Sequence, residues 1–404
     1  MISALTGSVS GQGQSAFLSD PAIAPDGSKI VFVYESDLWM ADRSGGTAHR
    51  ITAMTGEESV PRFSPDGKWL AFASTQNGNA DVYIMPVDGG ALQQLTWHDG
   101  NDYPDSWSWD SKTVYFTSDR FNTFGAYTVP ATGGTPARLF SDNYFDQAHH
   151  VVEIPGGNGQ EWYFTSSWES YMFAHRKRYR GENDPDIEYY NKGTGDYKRL
   201  TEWEGKDLWP SVDRYGKLWF ASDEGNAEYN LYTFDNGTKR QMTTFPTSIR
   251  RPQVSADGRY VVFARDYRIW TFDVATGQSS PCEISVWSNE NLATEIGYNS
   301  AGKITDFDVS VDGKKIAFVS RGRLFVSDIT GKFIKEMPTD RGERVQEVRW
   351  MKDNESLIYT RTVKGWANLF TISASAPEAE KQVTRYERTL QNLLVSPDGE
   401  KALV

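Results

Sequence analysis

The chain has one cysteine in 404 residues, Cys282. It can form no intrachain disulfide, and a lone thiol says little about redox compartment. No run of eighteen apolar residues occurs, so no segment reads as a membrane-spanning helix. Residues 1–14 are small and polar and lack a basic start. They are therefore not an intact signal peptide, and read as the stump of one or as residues appended to the chain. Basic residues are outnumbered, 42 Lys and Arg against 54 Asp and Glu, which leaves a net charge of −12. Phosphate contacts would be repelled over much of such a surface, so nucleic acid is not an expected partner. Catalytic signatures are missing too. No Gly-x-Ser-x-Gly elbow is present, and Gly297-Tyr298-Asn299-Ser300-Ala301-Gly302 has the wrong spacing. There is no His-Glu-x-x-His and no Walker loop. No cofactor is expected, and the chain alone is expected to hydrolyse nothing.

What is present is a repeat. Val60 to Thr96 alternates apolar runs of about five residues with turn chemistry, as short antiparallel strands do. In Ser64-Pro65-Asp66-Gly67 the proline fixes φ, the aspartate bonds the backbone two residues on, and the glycine takes a positive φ. Asp88-Gly89-Gly90 closes the next hairpin. The first turn recurs at Ala24–Gly27, Ser108–Ser111, Asp213–Gly216, Ser255–Gly258, Ser310–Gly313 and Ser396–Gly399, with a weaker copy at Met351–Asn354. A fourth unit is degenerate, with Ile154-Pro155-Gly156-Gly157 before Glu161–Phe164. Gly27 and Gly67 lie 40 residues apart, and Gly216 and Gly258 lie 42 apart. Four-strand units at periods near 40 are β-propeller blades, which bury their apolar faces only by stacking on copies of themselves.

Six units fill the chain to about Ile284. The rhythm then breaks in the polar stretch from Trp287 to Gly302, and three further units start near Ile304, Arg344 and Leu390. The last stops one strand after its turn. The expected fold is all-β: a six-bladed propeller over residues 1–290, then the first blades of a second, incomplete propeller over 291–404. A propeller that ends there leaves faces unburied, so the chain is expected to be the front portion of a longer protein.

Innermost strands line a propeller's channel. The residues leading into each of them are Ser59, Tyr103, His149, Trp209, Arg250 and Arg251. Aromatics and arginine at a pore mouth suit peptide passage, and plain packing is the alternative. His149 and Glu153 fall on one face of a strand, which also allows a metal ligand pair. Asp308–Gly313 half-matches a calcium loop but sits on the repeat turn and lacks the downstream glutamate. An insertion, Trp168 to Asp186, interrupts the fourth unit and carries His175-Arg176-Lys177-Arg178-Tyr179-Arg180. In an acidic chain this cluster reads either as a solvated loop or as a docking surface. In the second case Arg176, Arg178 and Arg180 would meet acidic peptide ends or another domain. An insertion between blade strands is expected to project from the ring.

The units resemble the repeats of TolB-type propellers and, more specifically, those of the tricorn protease family. Three stretches carry the second resemblance: Ile30–Val33 with Asp37–Trp39, Tyr179–Gly181 with Ile187-Glu188, and Ile316–Gly322. It implies a serine peptidase that degrades oligopeptides, opening with a six-bladed and then a seven-bladed propeller. The catalytic residues would lie beyond Val404, so none is assigned within this chain. The propellers would gate or channel peptides to that core. The partners implied are oligopeptide substrates, other domains of the parent chain and further copies of the full-length protein. The compartment implied is the cytoplasm, or the periplasm if residues 1–14 are a leader's stump. The family's paired arginine before the third blade, which anchors a substrate carboxylate, is not matched: this sequence has His98-Asp99-Gly100-Asn101-Asp102-Tyr103. The alternatives are a TolB-like interaction scaffold and the propeller of a prolyl-oligopeptidase-type peptidase.

Overall fold

The repeat turn folds as its chemistry requires. In a computed structural model of the chain, Ser64 Oγ donates to Asp66 Oδ1 at 2.6 Å and the Lys68 amide donates to the same oxygen at 3.1 Å. Gly67 sits at φ +74° and its amide closes onto Ser64 O at 2.9 Å. The same Ser–Asp bond recurs at Ser108–Asp110, Ser255–Asp257 and Ser310–Asp312. Hydrogen bonding to Ser108 and to Ser310 holds the Asp110 and Asp312 carboxyls below the usual range. The calcium half-match is therefore an ordinary repeat turn, with Asp312 already occupied by Ser310 and the Lys314 amide.

The described residues are 17–140, 145–287, 302–340, 342–377, 380–399 and 401–404. Residues 1–14 and most of the 287–302 junction, including Gly297–Ala301, lie outside them. The chain divides into two compact units, Met1–Ser288 and Asn289–Val404. Among the described residues the first holds six sheets, each with four antiparallel strands running in chain order from an innermost strand outward. The innermost strands are Ser19–Ile23, Glu58–Phe63, Asp102–Trp107, Ala148–Glu153, Asp207–Val212 and Ile249–Val254.

The apolar core lies between sheets rather than within them. Val31 and Leu38 of the first sheet pack on Leu70, Phe72 and Tyr83 of the second. Ala71, Val82 and Ile84 pack on Trp107, Val114 and Phe116 of the third, and the alternation continues through the fifth and sixth. Leu18, Ile30, Phe32 and Trp39 then share one cluster with Val262, Ile269 and Cys282, which joins the sixth sheet to the first. Polar bonds reinforce that junction. Leu18 donates to Tyr267 O at 2.9 Å, and Arg259 Nη2 to Asp26 O at 2.7 Å. Beyond the sixth sheet, Ile284–Val286 returns to pair in parallel with Gly46–Arg50, a fifth strand on the first sheet. Each element thus buries both faces against a neighbour, and the ring closes on itself.

The second unit holds a four-stranded sheet beginning at Ile304–Val309, another beginning at Val345–Trp350, and a two-stranded pair, Leu394–Val395 with Ala402–Leu403. Ala317, Leu324, Val348, Leu357 and Tyr359 form the core between the first two.

A cavity ringed by six inner strands

Five of the six inner strands of the first unit are interrupted near their start. Pairing with the next strand slips between Ser19 and Ala22, Ser59 and Arg62, His149 and Val152, Leu208 and Ser211, and Arg250 and Gln253. These are β-bulges, which re-aim a side chain at the cost of a ladder bond. The residue that absorbs each bulge takes a positive φ: Asp20 at 46°, Val60 at 52°, His150 at 51°, Trp209 at 55° and Arg251 at 49°. Five non-glycine residues in that region are a concentrated strain, of the kind that collects at ligand-facing sites. The third sheet slips at Asp105, and Tyr103 occupies the matching place.

Those six residues, one per sheet, line a single cavity of about 450 Å³. Deeper in, Arg62, Asp105 and Gln253 line it as well, and Asn101, Asp119, Tyr171 and Met172 stand at its rim. Of the residues leading into the inner strands, Tyr103, Trp209, Arg251 and Ser59 line this cavity. His149 does not. Its ring is fully buried behind the wall, edge-on to Phe124 at 5.3 Å, and Nδ1 meets Gln147 O at 2.7 Å. Burial pushes its pKa down to about 4. The bulge shifts the side-chain alternation by one, so His150 faces the cavity instead, and burial holds it neutral too. Arg250 fails for the same reason: its neighbour Arg251 takes the bulge, and Arg250 is left exposed outside the cavity. The His149–Glu153 metal pair also dissolves, because Glu153 accepts from Tyr115 Oη at 2.8 Å. Among the described residues no group of three or more His, Cys, Asp or Glu is placed to hold a metal ion.

One signal in the sequence marks the ring. Five of the six cavity residues precede a proline: Asp20-Pro21, Val60-Pro61, Tyr103-Pro104, Trp209-Pro210 and Arg251-Pro252. Proline donates no amide hydrogen bond, so it fits a place where the ladder is already broken. The fourth sheet has His150-Val151 and hides the pattern.

The insertion does not project away. A short helix, Trp168–Tyr171, carries Tyr171 and Met172 to the cavity rim, where Tyr171 stacks on Phe124 at 4.1 Å. The basic cluster behind it is consumed by carboxylates of this chain. Arg176 pairs with Glu169, Lys177 bonds both oxygens of Glu228 at 2.8 Å, and Arg180 meets Asp223 at 3.0 Å. Arg178 is the most exposed of the three arginines and lies 3.7 Å from Glu228. Lys206, fully buried, closes the set on Glu169 at 2.9 Å and on Phe173 O at 2.6 Å. Arg176 and Arg180 of the docking reading thus find acidic partners within the chain, whereas Arg178 stays largely exposed. The cluster's acidic partners are Glu169 in the insertion and two residues of the fifth sheet's loop, and the cluster ties the insertion down over the ring.

The sequence matches the profile of the tricorn protease N-terminal β-propeller domain over residues 15–278. The chain belongs to this family. Residues 209–404 also match the lipoprotein LpqB β-propeller domain. Among curated relatives, the tricorn protease of Thermoplasma acidophilum is 24% identical over 323 residues, which is 77% of this chain and 29% of that protein. Tricorn protease homolog 1 of Streptomyces coelicolor is 40% identical over 63 residues, 16% of this chain and 6% of that one. The TolB protein of Wolinella succinogenes is 25% identical over 187 residues, 44% of this chain and 42% of that one. The crystal structure of the tricorn protease superposes with a TM-score of 0.68 at 21% identity, over 96% of this chain and 37% of that chain. The matched part therefore spans less than a third of the Thermoplasma relative, and the shared fold is that of a β-propeller protein. Where the tricorn resemblance places paired arginines, His98 Nδ1 accepts from the Gly100 amide at 2.9 Å and Asn101 bonds the Asp119 carboxylate.

Proposed function

We propose that the chain is the propeller region of a tricorn-like serine peptidase. In this reading residues 1–290 form a six-bladed propeller and residues 291–404 the first part of a second, and the first ring passes or gates oligopeptides bound for a catalytic core supplied elsewhere in the parent protein. The observation that carries it is the cavity: one side chain from each of six sheets, five of them turned at a bulge, with aromatic walls at Tyr103, Trp209 and Tyr171, in a member of the tricorn family. Mixed aromatic and charged walls suit a peptide, whose backbone is polar and whose side chains are largely apolar. Cytoplasmic residence, self-association of the parent and contacts with its other domains belong to the same proposal. So does the absence of hydrolysis by this chain alone.

The test is fluorescence anisotropy of a labelled unstructured oligopeptide titrated with the 404-residue protein, with the peptide recovered afterwards. Saturable binding to the protein, weakened in Tyr103→Ala, with the peptide intact, is the expected result. Absence of binding would refute the channel role. The TolB relative supports a second reading, a protein-interaction scaffold. It predicts that folded partner proteins, and not free peptides, compete for the ring.

A further inference from the structure

Four of the sheet-to-sheet junctions in the first unit are built to one plan. A polar residue at or just before the head of a sheet's third strand is matched by a threonine just past its fourth: Asp37 with Thr52, Asp81 with Thr96, Asp186 with Thr201 and Asn230 with Thr243. Each threonine hydroxyl accepts from the next backbone amide, of Leu38, Val82, Ile187 and Leu231, at 2.8, 2.9, 2.9 and 2.9 Å. The first residue of the following inner strand then donates its amide to the carbonyl just before the polar residue. Glu58 donates to Ser36, Asp102 to Ala80, Asp207 to Pro185 and Ile249 to Tyr229.

At three of these junctions the plan brings two carboxyl groups together: Asp37 with Glu58, Asp81 with Asp102, and Asp186 with Asp207. All six residues are buried. Cations do not match them in number. Arg50 meets Asp37 at 2.6 Å and Arg120 meets Asp102 at 2.7 Å, one cation for each of those pairs. At the third, Arg199 lies 3.3 Å from Asp186, while Lys239 divides itself between Asp207 at 2.9 Å and Glu224 at 2.7 Å. Asp184 adds negative charge near Asp186, and Glu188 near Arg199. Among the described residues each junction is thus at least one positive charge short. Two oxygens also lack a donor, for Glu58 Oε2 and Asp102 Oδ1 are buried with no hydrogen-bond partner. The fourth junction avoids the problem. Asn230 stands there in place of an acid, and its oxygen accepts from Thr243 Oγ1 at 3.0 Å.

We propose that each of the three acid pairs shares a proton in the folded ring, so that the contacts of the first sheet with the second, the second with the third and the fourth with the fifth tighten on acidification and slacken as pH rises past neutral. Two carboxylates in a dry site do not both ionise readily, because burial and like charge each favour the neutral form. The surroundings agree in sign. Burial, with the neighbouring acid's charge added, raises Glu58, raises Asp81 to about 6 and raises Asp186 to about 7. Unfolded carboxyl groups titrate near 4. The folded ring therefore keeps protons that the unfolded chain has lost, and that part of its stability falls as pH rises from about 4 through these values. His149 and His150 act the other way: buried and neutral, they gain a proton only on unfolding, so their share of stability rises with pH up to about 6.5. Asp105 acts with the pairs. These contributions cancel when a variant is compared with the parent protein.

The test is urea unfolding of the 404-residue protein from pH 4.5 to 8, beside Asp186→Asn and Asp81→Asn, the change the repeat itself carries at Asn230. Each proton held only by the folded state lowers the folding constant about tenfold per pH unit. The parent should lose about tenfold more per unit than Asp186→Asn between pH 5 and 6.5, and than Asp81→Asn between pH 4.5 and 5.5. Where one variant does not fold, the other decides the matter. Parallel curves for parent and variants would overturn the shared protons. So would a difference of constant size from pH 4.5 to 8, which is the mark of a lost contact and not of a proton.

Discussion

Near the start of the strand Glu58–Phe63, Val60 bends into the left-handed region and faces a shared cavity. Just past its other end, Ser64, Asp66 and Gly67 close a turn whose polar groups satisfy one another. In four of the six sheets the turn end repeats its chemistry, a serine or alanine with an aspartate two residues on: Ala24 and Asp26, Ser64 and Asp66, Ser108 and Asp110, Ser255 and Asp257. The bulge end repeats its geometry and varies its chemistry: Asp20, Val60, Tyr103, His150, Trp209, Arg251. A position that only has to fold converges on whichever residues satisfy the backbone. A position that is strained in nearly every copy, yet filled by a different side chain in each, is one where the fold serves as a scaffold for something else.

This comparison can be broken at four places. The largest effect is expected at Lys206, whose ammonium is fully buried against Glu169. Lys206→Met leaves Glu169 buried with Arg176 as its remaining cation, and should destabilise by about 3–5 kcal/mol in urea unfolding. A loss below about 1 kcal/mol would mean the insertion is not clamped.

Asp105 comes next. Burial holds its pKa up at about 6, so the folded state binds this proton more tightly than the unfolded chain. Its contribution to stability is greatest below the unfolded carboxylate's value near 3.9 and is lost as pH rises through about 6, on the order of 2–3 kcal/mol. Asp105→Asn keeps an acceptor for the Val151 amide and should flatten that part of the stability–pH curve between pH 4 and 6. An unchanged curve would contradict the assignment.

At the turn end, Gly27 has φ +71°, and a Cβ there would stand 2.7 Å from Tyr260 Cδ2 across the closing junction. Gly27→Ala should cost about 1–2 kcal/mol from the left-handed backbone alone, with peptide affinity unaltered. The smallest stability effect is expected for Tyr103→Ala, within about 1 kcal/mol, while peptide affinity falls several-fold. A variant that loses stability and keeps its affinity would put Tyr103 among the packing residues.

The turn end is legible in the sequence. Ser-Pro-Asp-Gly at periods near 40 carries its own turn mechanism, and strands on both sides follow from it, so the sheets can be read locally. The bulges cannot: the residues leading into the inner strands include His149 and Arg250 beside Arg251, whereas only His150 and Arg251 face the wall. The clamp is illegible for another reason. Asp223 and Glu228 lie 43 and 51 residues from Arg180 and Lys177, and only the stacking of the fourth sheet on the fifth brings them together.

The most direct test of the central contrast compares the two ends of the strands in one binding experiment. Peptide affinity is measured in parallel for the parent protein, for Tyr103→Ala at the cavity and for Asp66→Ala at the turn, at a temperature where all three are folded. Affinity should drop several-fold for Tyr103→Ala and stay at the parent value for Asp66→Ala, although Asp66→Ala is the less stable protein. Equal losses in both variants, or a loss only in Asp66→Ala, would contradict the division of labour between the two ends.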